Sequence, residues 1–339
     1  MAINILEIEP SKVKPGLAGK IILLSGEKKT GKTTFLSKLP DCLIIGCEPG
    51  TNLISGAMVQ PCNSWTEFKQ IVKQLKSDEA KAKFKFIGID PLGILWNLCA
   101  KFTWMQKNDG SDLSDYEIGI SQNKSMNEFS SAIMDIAREG YGLVMISHIT
   151  AKDVPNDIGF KYGTEIMPDL PKRPRSFIEG LADLTVNVIS EPNEEGKTIP
   201  YMYLRETIAN GIRVKAGGRY TNLPERAVFS YDNLTKIIEE ADKALADSGA
   251  DMSGTKTAVQ ETIVDPISKD WKDVVKEVND TLKIVADKSN AGNKEISGKA
   301  KAIIASYLGE NNKITEASPN QQELVEAALA DLKALVADK

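Results

Sequence analysis

A glycine-containing stretch near the start of the chain has the residue types and spacing of a phosphate-binding loop. Residues 26–33 read GEKKTGKT, between an apolar run at 21–25 and a helical pattern at 32–39. Glycines let the backbone curl so that its N–H groups point at phosphate oxygens. Lys32 can then reach the β- and γ-phosphates, and the Thr33 hydroxyl can ligate Mg²⁺. The stretch therefore predicts a site for a nucleoside triphosphate with Mg²⁺. The expected phosphate-binding residues are Gly26, Glu27, Lys28, Lys29, Thr30, Gly31, Lys32, Thr33 and Thr34.

Carboxylates at the ends of two later apolar runs are the next candidates for chemistry. Asp90 follows the run at 84–89 and can hold Mg²⁺ together with Thr33, although an Asp-Pro pair also serves simply to begin a helix. Pro91 stands where many ATPases carry a glutamate that activates water. Glu48 follows the run at 42–46, and parallel strands end at one edge of a sheet. We therefore expect Glu48 to activate the attacking water; the alternative is that Glu48-Pro49-Gly50 is only a turn.

The elements that must position these residues alternate along the chain. Apolar runs alternate with helical patterns, which predicts an α/β fold with a mainly parallel sheet covered on both faces. Two further runs, PYMYLRE and GIRVKA, flank Asn210-Gly211 and predict an appended antiparallel hairpin. The expected parallel strands are 21–25, 42–46, 84–89, 141–147 and 183–189.

The last quarter of the chain has a different pattern. Residues 248–268 are poor in large side chains and are typical of a linker. Residues 269–339 show three helical stripes and no strand signal. The predicted organisation is a core at 1–247, a linker at 248–268 and a small helical module at 269–339.

Composition excludes several other classes of protein. The net charge of the 339 residues is −5, so any nucleic-acid contact has to use a local basic surface. Four cysteines without a C-x-x-C pair, and one histidine, argue against a zinc site and are typical of a reducing compartment. The first residues lack the pattern of a signal peptide, and no run approaches the roughly 18 apolar residues of a membrane span. We expect a cytoplasmic protein, in the host cytoplasm if it is phage-encoded, with no membrane partner.

The order of these features resembles the RecA-like P-loop ATPases, which include RecA and the DnaB-type helicases. Over residues 15–240, the loop at 26–34, Glu48, Asp90 and the polar strand end Ser147-His148 come in that family's order at similar spacing. The resemblance implies ATP as the nucleotide. It also implies that His148, where RecA has glutamine, senses the γ-phosphate and signals to a DNA-binding loop. The alternative for His148 is a strand-end residue bonded to the backbone.

Two segments correspond to the mobile loops that line the DNA channel of RecA-like proteins. The first is 107–122 and the second is 149–176, which is too long and polar for an ordinary packed connection. Cations for phosphates and rings for base stacking suit single-stranded DNA, but acidic residues keep the charge of the second segment small, so a solvated loop also explains it. The expected DNA-binding residues are Lys152, Phe160, Lys161, Tyr162, Lys172, Arg173 and Arg175.

A cation past the fifth strand completes the resemblance. Helicases and their relatives insert a K-x-R pair into the neighbouring subunit's nucleotide site. Arg219 is the best match here and Lys215 a weaker one, but Gly217 replaces the lysine of the pair. An arginine in this place stabilises the charge of the transition state, whereas the alternative is an exposed loop arginine.

The whole pattern is most similar to the phage-encoded single-strand annealing recombinases of the RecA class. The resemblance implies an ATPase that binds single-stranded DNA, promotes annealing or strand pairing, and works as a homo-oligomer, either a ring or a filament. The helical module lies outside the resemblance, and a single-strand binding protein is one partner it could take. Two other functions share the nucleotide residues: a DnaB-like helicase or helicase loader, and a regulatory switch that binds protein instead of DNA.

Overall fold

The chain divides into two compact units in the computed structural model. The larger lies within Leu6–Val264 and the smaller is formed mainly by Asp265–Lys339. The residues that the structure describes are 10–48, 54–108, 115–155, 161–209, 212–257, 259–260, 270–292, 294–309 and 312–337.

A twisted sheet forms the centre of the larger unit, and its parallel part follows the predicted apolar runs. The strand order is β3-β2-β4-β5-β1-β7-β8-β12, with parallel pairing from β3 to β7 and antiparallel pairing beyond. These strands are β1 Ile21–Gly26, β2 Cys42–Gly46, β3 Met58–Pro61, β4 Phe86–Asp90, β5 Gly142–Pro155, β7 Leu184–Pro192, β8 Thr198–Tyr203 and β12 Arg226–Val228. The prediction of a mainly parallel sheet with added antiparallel strands is confirmed.

Helices cover both faces of this sheet. Alternate side chains of β1, β2, β4 and β5 enter two separate apolar cores, because successive side chains of a strand point to opposite faces. One core contains α2, α4, α5 and α6, and the other contains α1 and α7. The bounds are α1 Lys32–Lys38, α2 Trp65–Leu75, α3 Asp78–Lys83, α4 Leu92–Asn108, α5 Asp115–Arg138, α6 Lys172–Leu181 and α7 Tyr231–Asp247.

The helix at 65–75 shows how local sequence sets these elements. The Ser64 side chain accepts a hydrogen bond from the Glu67 backbone N–H at 3.2 Å, which satisfies one of the free donors of the first turn. Its apolar stripe, predicted from helical spacing, is fully buried. The Trp65 ring lies 4.9 Å from that of Phe68 and 6.3 Å from that of Phe129 on α5.

The predicted open loop at 149–176 is wrong in its described part. Strand β5 continues through 149–155 and pairs antiparallel with β6, Lys161–Pro168, after which α6 begins at Lys172. The alternation of polar and apolar residues in this segment belongs to a strand and not to a solvated loop. The predicted first loop, 107–122, is also mostly helical, since α4 reaches Asn108 and α5 begins at Asp115; residues 109–114 lie outside the described residues.

The predicted hairpin around Asn210-Gly211 has different strands from those expected. PYMYLRE contributes most of β8, which pairs with β7 and β12 and not with GIRVKA. The antiparallel partner of β10, Ile212–Val214, is instead β9, Thr207–Ala209. Strand β10 also pairs with β6, so β5, β6, β10 and β9 form a small second sheet. A short strand β11, Gly217–Gly218, returns to β7.

The described part of the predicted linker is held by the larger unit. The Val13 N–H donates to the Asp251 carbonyl at 2.7 Å, and the Gly254 N–H donates to the Val13 carbonyl at 3.1 Å. A Cβ at Gly254 would lie 2.6 Å from the Lys12 carbonyl oxygen, so the close approach needs glycine. The scarcity of large side chains in this segment therefore reflects its close backbone packing and not only its role as a linker.

The described residues of the smaller unit form three α-helices, as the three stripes predict, and two short 3-10 turns. The α-helices are α8 Trp271–Asn290, α9 Lys294–Leu308 and α10 Gln322–Ala337. Their apolar stripes form one separate core that includes Val274, Val278, Ala300 and Leu332. Asp270 begins α8 by accepting a hydrogen bond from the Lys272 N–H at 3.0 Å.

Candidate functional site

The loop at 26–33 connects β1 to α1 and needs glycine at two positions. Gly31 has a φ of 89°, in the left-handed region that side chains disfavour, and Lys29 also has a positive φ of 67°. A Cβ at Gly26 would lie 2.6 Å from the Val188 carbonyl oxygen of β7. The loop therefore turns tightly between β1 and α1, as a phosphate-binding loop requires.

Lys32 is the buried cation of this loop. Its Nζ donates to the carbonyl oxygens of Gly26 at 2.9 Å and Glu27 at 2.5 Å. Burial lowers the pKa of Lys32 to about 8, although the Asp90, Glu48 and Glu27 carboxylates oppose the shift. A buried ammonium whose charge is poorly compensated is stabilised by an arriving anion, so Lys32 fits a phosphate group.

Thr33 and Asp90 bring the two expected magnesium ligands into contact. The Thr33 hydroxyl donates to Asp90 Oδ2 at 2.6 Å, from the first turn of α1 to the last residue of β4. Asp90 is buried, and this burial raises the pKa of its carboxyl group, while the hydrogen bond from Thr33 acts in the opposite direction. A hydroxyl and a carboxylate are ligands that Mg²⁺ prefers, so the pair fits a magnesium ion beside the phosphate loop.

Glu48 and His148 lie together beyond the end of β4. Gly46, the last residue of β2, is paired with Asp90, and Glu48 follows two residues later; Met145 of β5 is paired with Ile89, so β5 continues past the end of β4 through His148. Glu48 Oε1 lies 3.6 Å from His148 Nε2. The Glu48 charge raises the pKa of both Lys32 and Asp90, so its carboxylate lies close to these two groups. The structure therefore gathers the carboxylate, imidazole, hydroxyl and ammonium groups of the predicted site at one sheet edge.

The His148 ring retains an unused polar atom. Its Nδ1 is buried without a hydrogen-bond partner among the described residues. The His148 backbone is held firmly, since its carbonyl accepts from the Asp169 N–H at 2.8 Å and the Ser147 hydroxyl at 2.8 Å. A fixed backbone with a free ring nitrogen suits a side chain that responds to an arriving ligand. The alternative, in which the backbone provides hydrogen bonds to the His148 ring, does not agree with this unpartnered Nδ1.

The remaining loop residues differ in their exposure. The Glu27 carboxylate accepts from the Ser190 N–H of β7 at 3.0 Å, so its side chain supports the loop from below. The Thr30 hydroxyl donates to the Glu27 carbonyl at 2.9 Å. Lys28, Lys29 and Thr34 are exposed.

Comparison with known proteins identifies the family of this site. The model of the AAA domain, a family of P-loop ATPases, matches residues 18–221 and so spans β1, the phosphate loop, Glu48, Asp90, His148 and Arg219. The chain belongs to the AAA-domain family. The AAA-domain match covers most of the larger unit and none of the helical unit.

A relative of the whole chain comes from a prophage. The SPbeta prophage-derived uncharacterized protein YorG of Bacillus subtilis is 27% identical over 349 aligned positions, which cover all of both chains. The similarity therefore extends through the helical unit, beyond the limits of the AAA domain. The name of that relative assigns it no activity.

Arg219 does not join the nucleotide residues of its own chain. Its N–H donates to the Asp183 carbonyl at 3.0 Å, and its Nε lies 3.3 Å from Asp183 Oδ1. Asp183 precedes β7 and bonds to Ile21 at the start of β1, whereas the phosphate loop follows the end of β1. Arg219 is therefore at the opposite edge of the sheet from the phosphate loop of its own chain. The weaker candidate, Lys215, pairs with buried Glu165 at 2.9 Å.

The expected DNA-binding residues separate into three groups. Lys152, Lys172 and Arg173 are exposed. Arg175 is half-buried and its Nη1 lies 2.5 Å from the Met167 sulfur, so it packs against β6 instead of projecting freely. Phe160 lies outside the described residues, and for Lys161 and Tyr162 only the strand position in β6 is described.

A buried polar row beneath the site was missed by the sequence reasoning. Ser25 of β1 is paired with Ser147 of β5 and Asn187 of β7, and all three side chains are fully buried. Among the described residues, Ser25 Oγ and Asn187 Oδ1 lack hydrogen-bond partners, while Asn187 Nδ2 donates to the Lys215 carbonyl. The available signal was a polar residue that interrupts each of three apolar runs near its end.

None of the described helices has the length and apolar content needed to cross a membrane.

Proposed function

We propose that this protein is an ATPase that binds single-stranded DNA and promotes its annealing or pairing as a homo-oligomer. The observation that carries the proposal is the single face shared by Lys32, Thr33, Asp90 and Glu48, with His148 beside the last of these. The AAA-domain family supplies the coarser part, a P-loop ATPase. The finer part, a RecA-class DNA function, rests on the chain's own residues.

Each residue of the face has a separate task in this proposal. Lys32 and the backbone of residues 26–31 hold the triphosphate, and Thr33 with Asp90 holds Mg²⁺. Bound Mg-ATP supplies the reactive phosphoanhydride and the charge of the metal. Glu48 accepts a proton from the attacking water, because Pro91 leaves no carboxylate directly after Asp90. His148 orients the Glu48 carboxylate through the 3.6 Å contact and leaves Nδ1 free.

Strand β5 offers a direct connection from this face to a DNA surface. It carries His148 at the sheet edge and exposed Lys152 four residues later, within one continuous strand. The hairpin formed with β6 closes again at His148, where the Asp169 N–H meets the His148 carbonyl. In this proposal, a change of the His148 side chain on nucleotide binding affects the hairpin and α6 through these backbone contacts. Helix α6 carries exposed Lys172 and Arg173. Cations on a strand and helix end suit the phosphates of single-stranded DNA.

In this proposal Arg219 acts between the subunits of an oligomer. An arginine at the edge opposite its own phosphate loop can reach a phosphate only in a neighbouring copy, where it would stabilise the charge of the transition state. The prophage origin of the 27% identical relative is consistent with a role in phage recombination in the host cytoplasm. We assign no partner to the helical unit beyond the single-strand binding protein suggested above.

The test is the rate of ATP hydrolysis with and without single-stranded DNA at two salt concentrations. We expect DNA to stimulate the rate and salt to weaken that stimulation, because phosphate contacts depend on counterion release. We also expect the protein to anneal complementary strands and not to unwind a forked duplex directionally. Unwinding would instead identify a helicase, and ATP binding with no DNA effect would identify a nucleotide switch for a protein partner.

A further inference from the structure

Two cysteines lie side by side at the ends of the neighbouring strands β2 and β3, and one of them directly precedes Glu48. Strands β2 and β3 are parallel with Gly46 paired to Pro61, so Cys47 and Cys62 are the next residues of the two strands. The backbones stay paired there, since the Cys62 N–H donates to the Gly46 carbonyl at 2.9 Å. Both side chains face the apolar core that contains α2 and α4, as residues at the same register of neighbouring parallel strands do. The pair is therefore adjacent in backbone register and lies on one face of the sheet.

We propose that Cys47 and Cys62 form an oxidation site at which a peroxide creates a disulfide that displaces Glu48 and stops hydrolysis. Neighbouring strands lie about 4.8 Å apart, within the roughly 4.4–6.8 Å range of Cα separations that a disulfide spans. The bond needs no movement of either strand as a whole. The formation of the disulfide is independent of the proposed function, whereas its effect on hydrolysis rests on that function.

The chemistry balances with one peroxide for each pair. Hydrogen peroxide transfers an oxygen atom to one sulfur, giving a sulfenic acid and one water. The second thiol attacks that sulfur, the new S–S bond forms, and the hydroxyl leaves as a second water after taking up the thiol proton. The two cysteines are thus oxidised by two electrons and the peroxide is reduced by two electrons. A dithiol reductant reverses the reaction by exchange.

Exposure separates this pair from the other two cysteines. Cys47 is half-buried, whereas Cys42, Cys62 and Cys99 are buried. A small oxidant therefore reaches Cys47 first, and Cys62 is the thiol beside it on the neighbouring strand. Cys99 is on α4, where its thiol lies 3.5 Å from the Ser125 carbonyl, and it serves as the control position.

The disulfide would affect the nucleotide-binding residues because Cys47 directly precedes Glu48 in the chain. Cys47 faces the core of α2 and α4, and the next side chain, Glu48, points to the opposite face towards His148. The Cys47 N–H is also bonded to the Asp90 carbonyl at 2.7 Å. Drawing the Cys47 sulfur towards Cys62 rotates the backbone at this point and changes the direction of the Glu48 carboxylate. A change of about 1 Å in a catalytic group is enough to lower a rate by about a hundredfold.

The experiment treats the full chain with hydrogen peroxide, blocks free thiols and identifies linked peptides by mass spectrometry. We expect a Cys47–Cys62 peptide, a loss of hydrolysis of at least tenfold, and recovery with dithiothreitol. Cys47→Ser and Cys62→Ser should form no such peptide and should keep their rates in peroxide. Cys99→Ser should respond as the unsubstituted protein does.

A second readout separates this site from the proposed ATPase. His148 is the single histidine of the chain, so its ring protons give one assignable NMR signal. Disulfide formation should shift that signal in the unsubstituted protein and leave it unchanged in Cys62→Ser. Absence of the linked peptide, an unshifted signal, or full hydrolysis by the linked protein would overturn the proposal. If the reduced protein hydrolyses no ATP, the proposed function fails, and the peptide and the His148 signal still decide whether the disulfide forms and displaces Glu48.

Discussion

Glu48 and His148, one hundred positions apart in sequence, lie with Oε1 and Nε2 3.6 Å from each other beyond the end of β4. Strand β4 ends at Asp90 and leads into α4; β2 ends beside it at Gly46, two residues before Glu48, whereas β5 continues past the level of Asp90 through His148. Because β4 lies between β2 and β5 and ends at Asp90, the two side chains can meet beyond it. Their contact is thus a consequence of strand order and strand length.

Removal of the His148 ring should affect turnover more than binding. We expect His148→Ala to lower kcat about tenfold and to leave the Kd for ATP within about twofold, because a lost polar contact to a charged group is worth about 1.5–3 kcal/mol. His148→Gln, which keeps a polar side chain of similar reach, should retain more of the rate. The measurements are steady-state hydrolysis and equilibrium binding of a fluorescent ATP analogue. An unchanged kcat in His148→Ala would remove the positioning role.

The affinity for ATP should depend on pH through Lys32. The pKa of Lys32 in the free protein is lowered to about 8 by burial, and bound phosphates stabilise its charged form. Above about pH 8, binding must therefore take up a proton, so affinity should fall by up to about tenfold per pH unit and change little through this group below about pH 7.5. Equilibrium binding from pH 7 to 9.5 measures the effect. Lys32→Ala should bind weakly at every pH without this fall, and a flat profile in the unsubstituted protein would contradict the assignment.

Three exposed cations near β5 and α6 should determine the salt dependence of DNA binding. Replacing Lys152, Lys172 and Arg173 with alanine should weaken binding of single-stranded DNA of any sequence. The slope of log affinity against log salt should become shallower by about 2, at about 0.7 for each phosphate contact. The matched control replaces three other exposed lysines, Lys73, Lys197 and Lys243. Equal losses in both triple variants would leave no special role for this surface.

Arg219 should act on a neighbouring subunit, which a mixing experiment can reveal. Arg219→Ala and Glu48→Gln should each bind ATP and each fail to hydrolyse it when pure. In an equal mixture, about one quarter of the sites combine an intact Glu48 with an intact neighbouring Arg219, so about a quarter of the activity should return. Arg205→Ala, which removes another exposed arginine, should hydrolyse normally. A mixture that stays inactive, or a fully active Arg219→Ala, would exclude the role in the neighbour's site.

Sequence patterns predicted those parts of the fold that depend on local apolar periodicity. The strands at 21–26, 42–46, 86–90 and 184–192 and the buried stripe of α2 follow directly from it. The predicted ends of the parallel strands also placed Asp90, Glu48 and His148 at one edge of the sheet. This works because a parallel sheet has one carboxyl edge and because side chains alternate between its faces.

Long-range pairing was beyond the reach of these patterns. Residues 149–155 and 161–168 are polar in composition, but they form a strand pair whose second strand, β6, also pairs with β10, more than forty residues later in the sequence. The predicted partner of PYMYLRE was wrong for the same reason. Strand β8, which contains most of this run, pairs with β7 and not with GIRVKA, the next run along the chain. The polar row of Ser25, Ser147 and Asn187 also depends on register across three strands. No local signal specifies which strands become neighbours.

The central assignment, Glu48 as the group that activates water, is tested most directly by phosphate release in a single turnover. Glu48→Gln should bind ATP with a Kd within about twofold of the unsubstituted protein and release phosphate at least about a hundredfold more slowly, because general bases contribute about 10²–10⁴ to rate. Glu194→Gln, in the exposed turn between β7 and β8, should behave as the unsubstituted protein does. Slow release with intact binding only in Glu48→Gln is the result that we predict, and release at the normal rate from Glu48→Gln would contradict it.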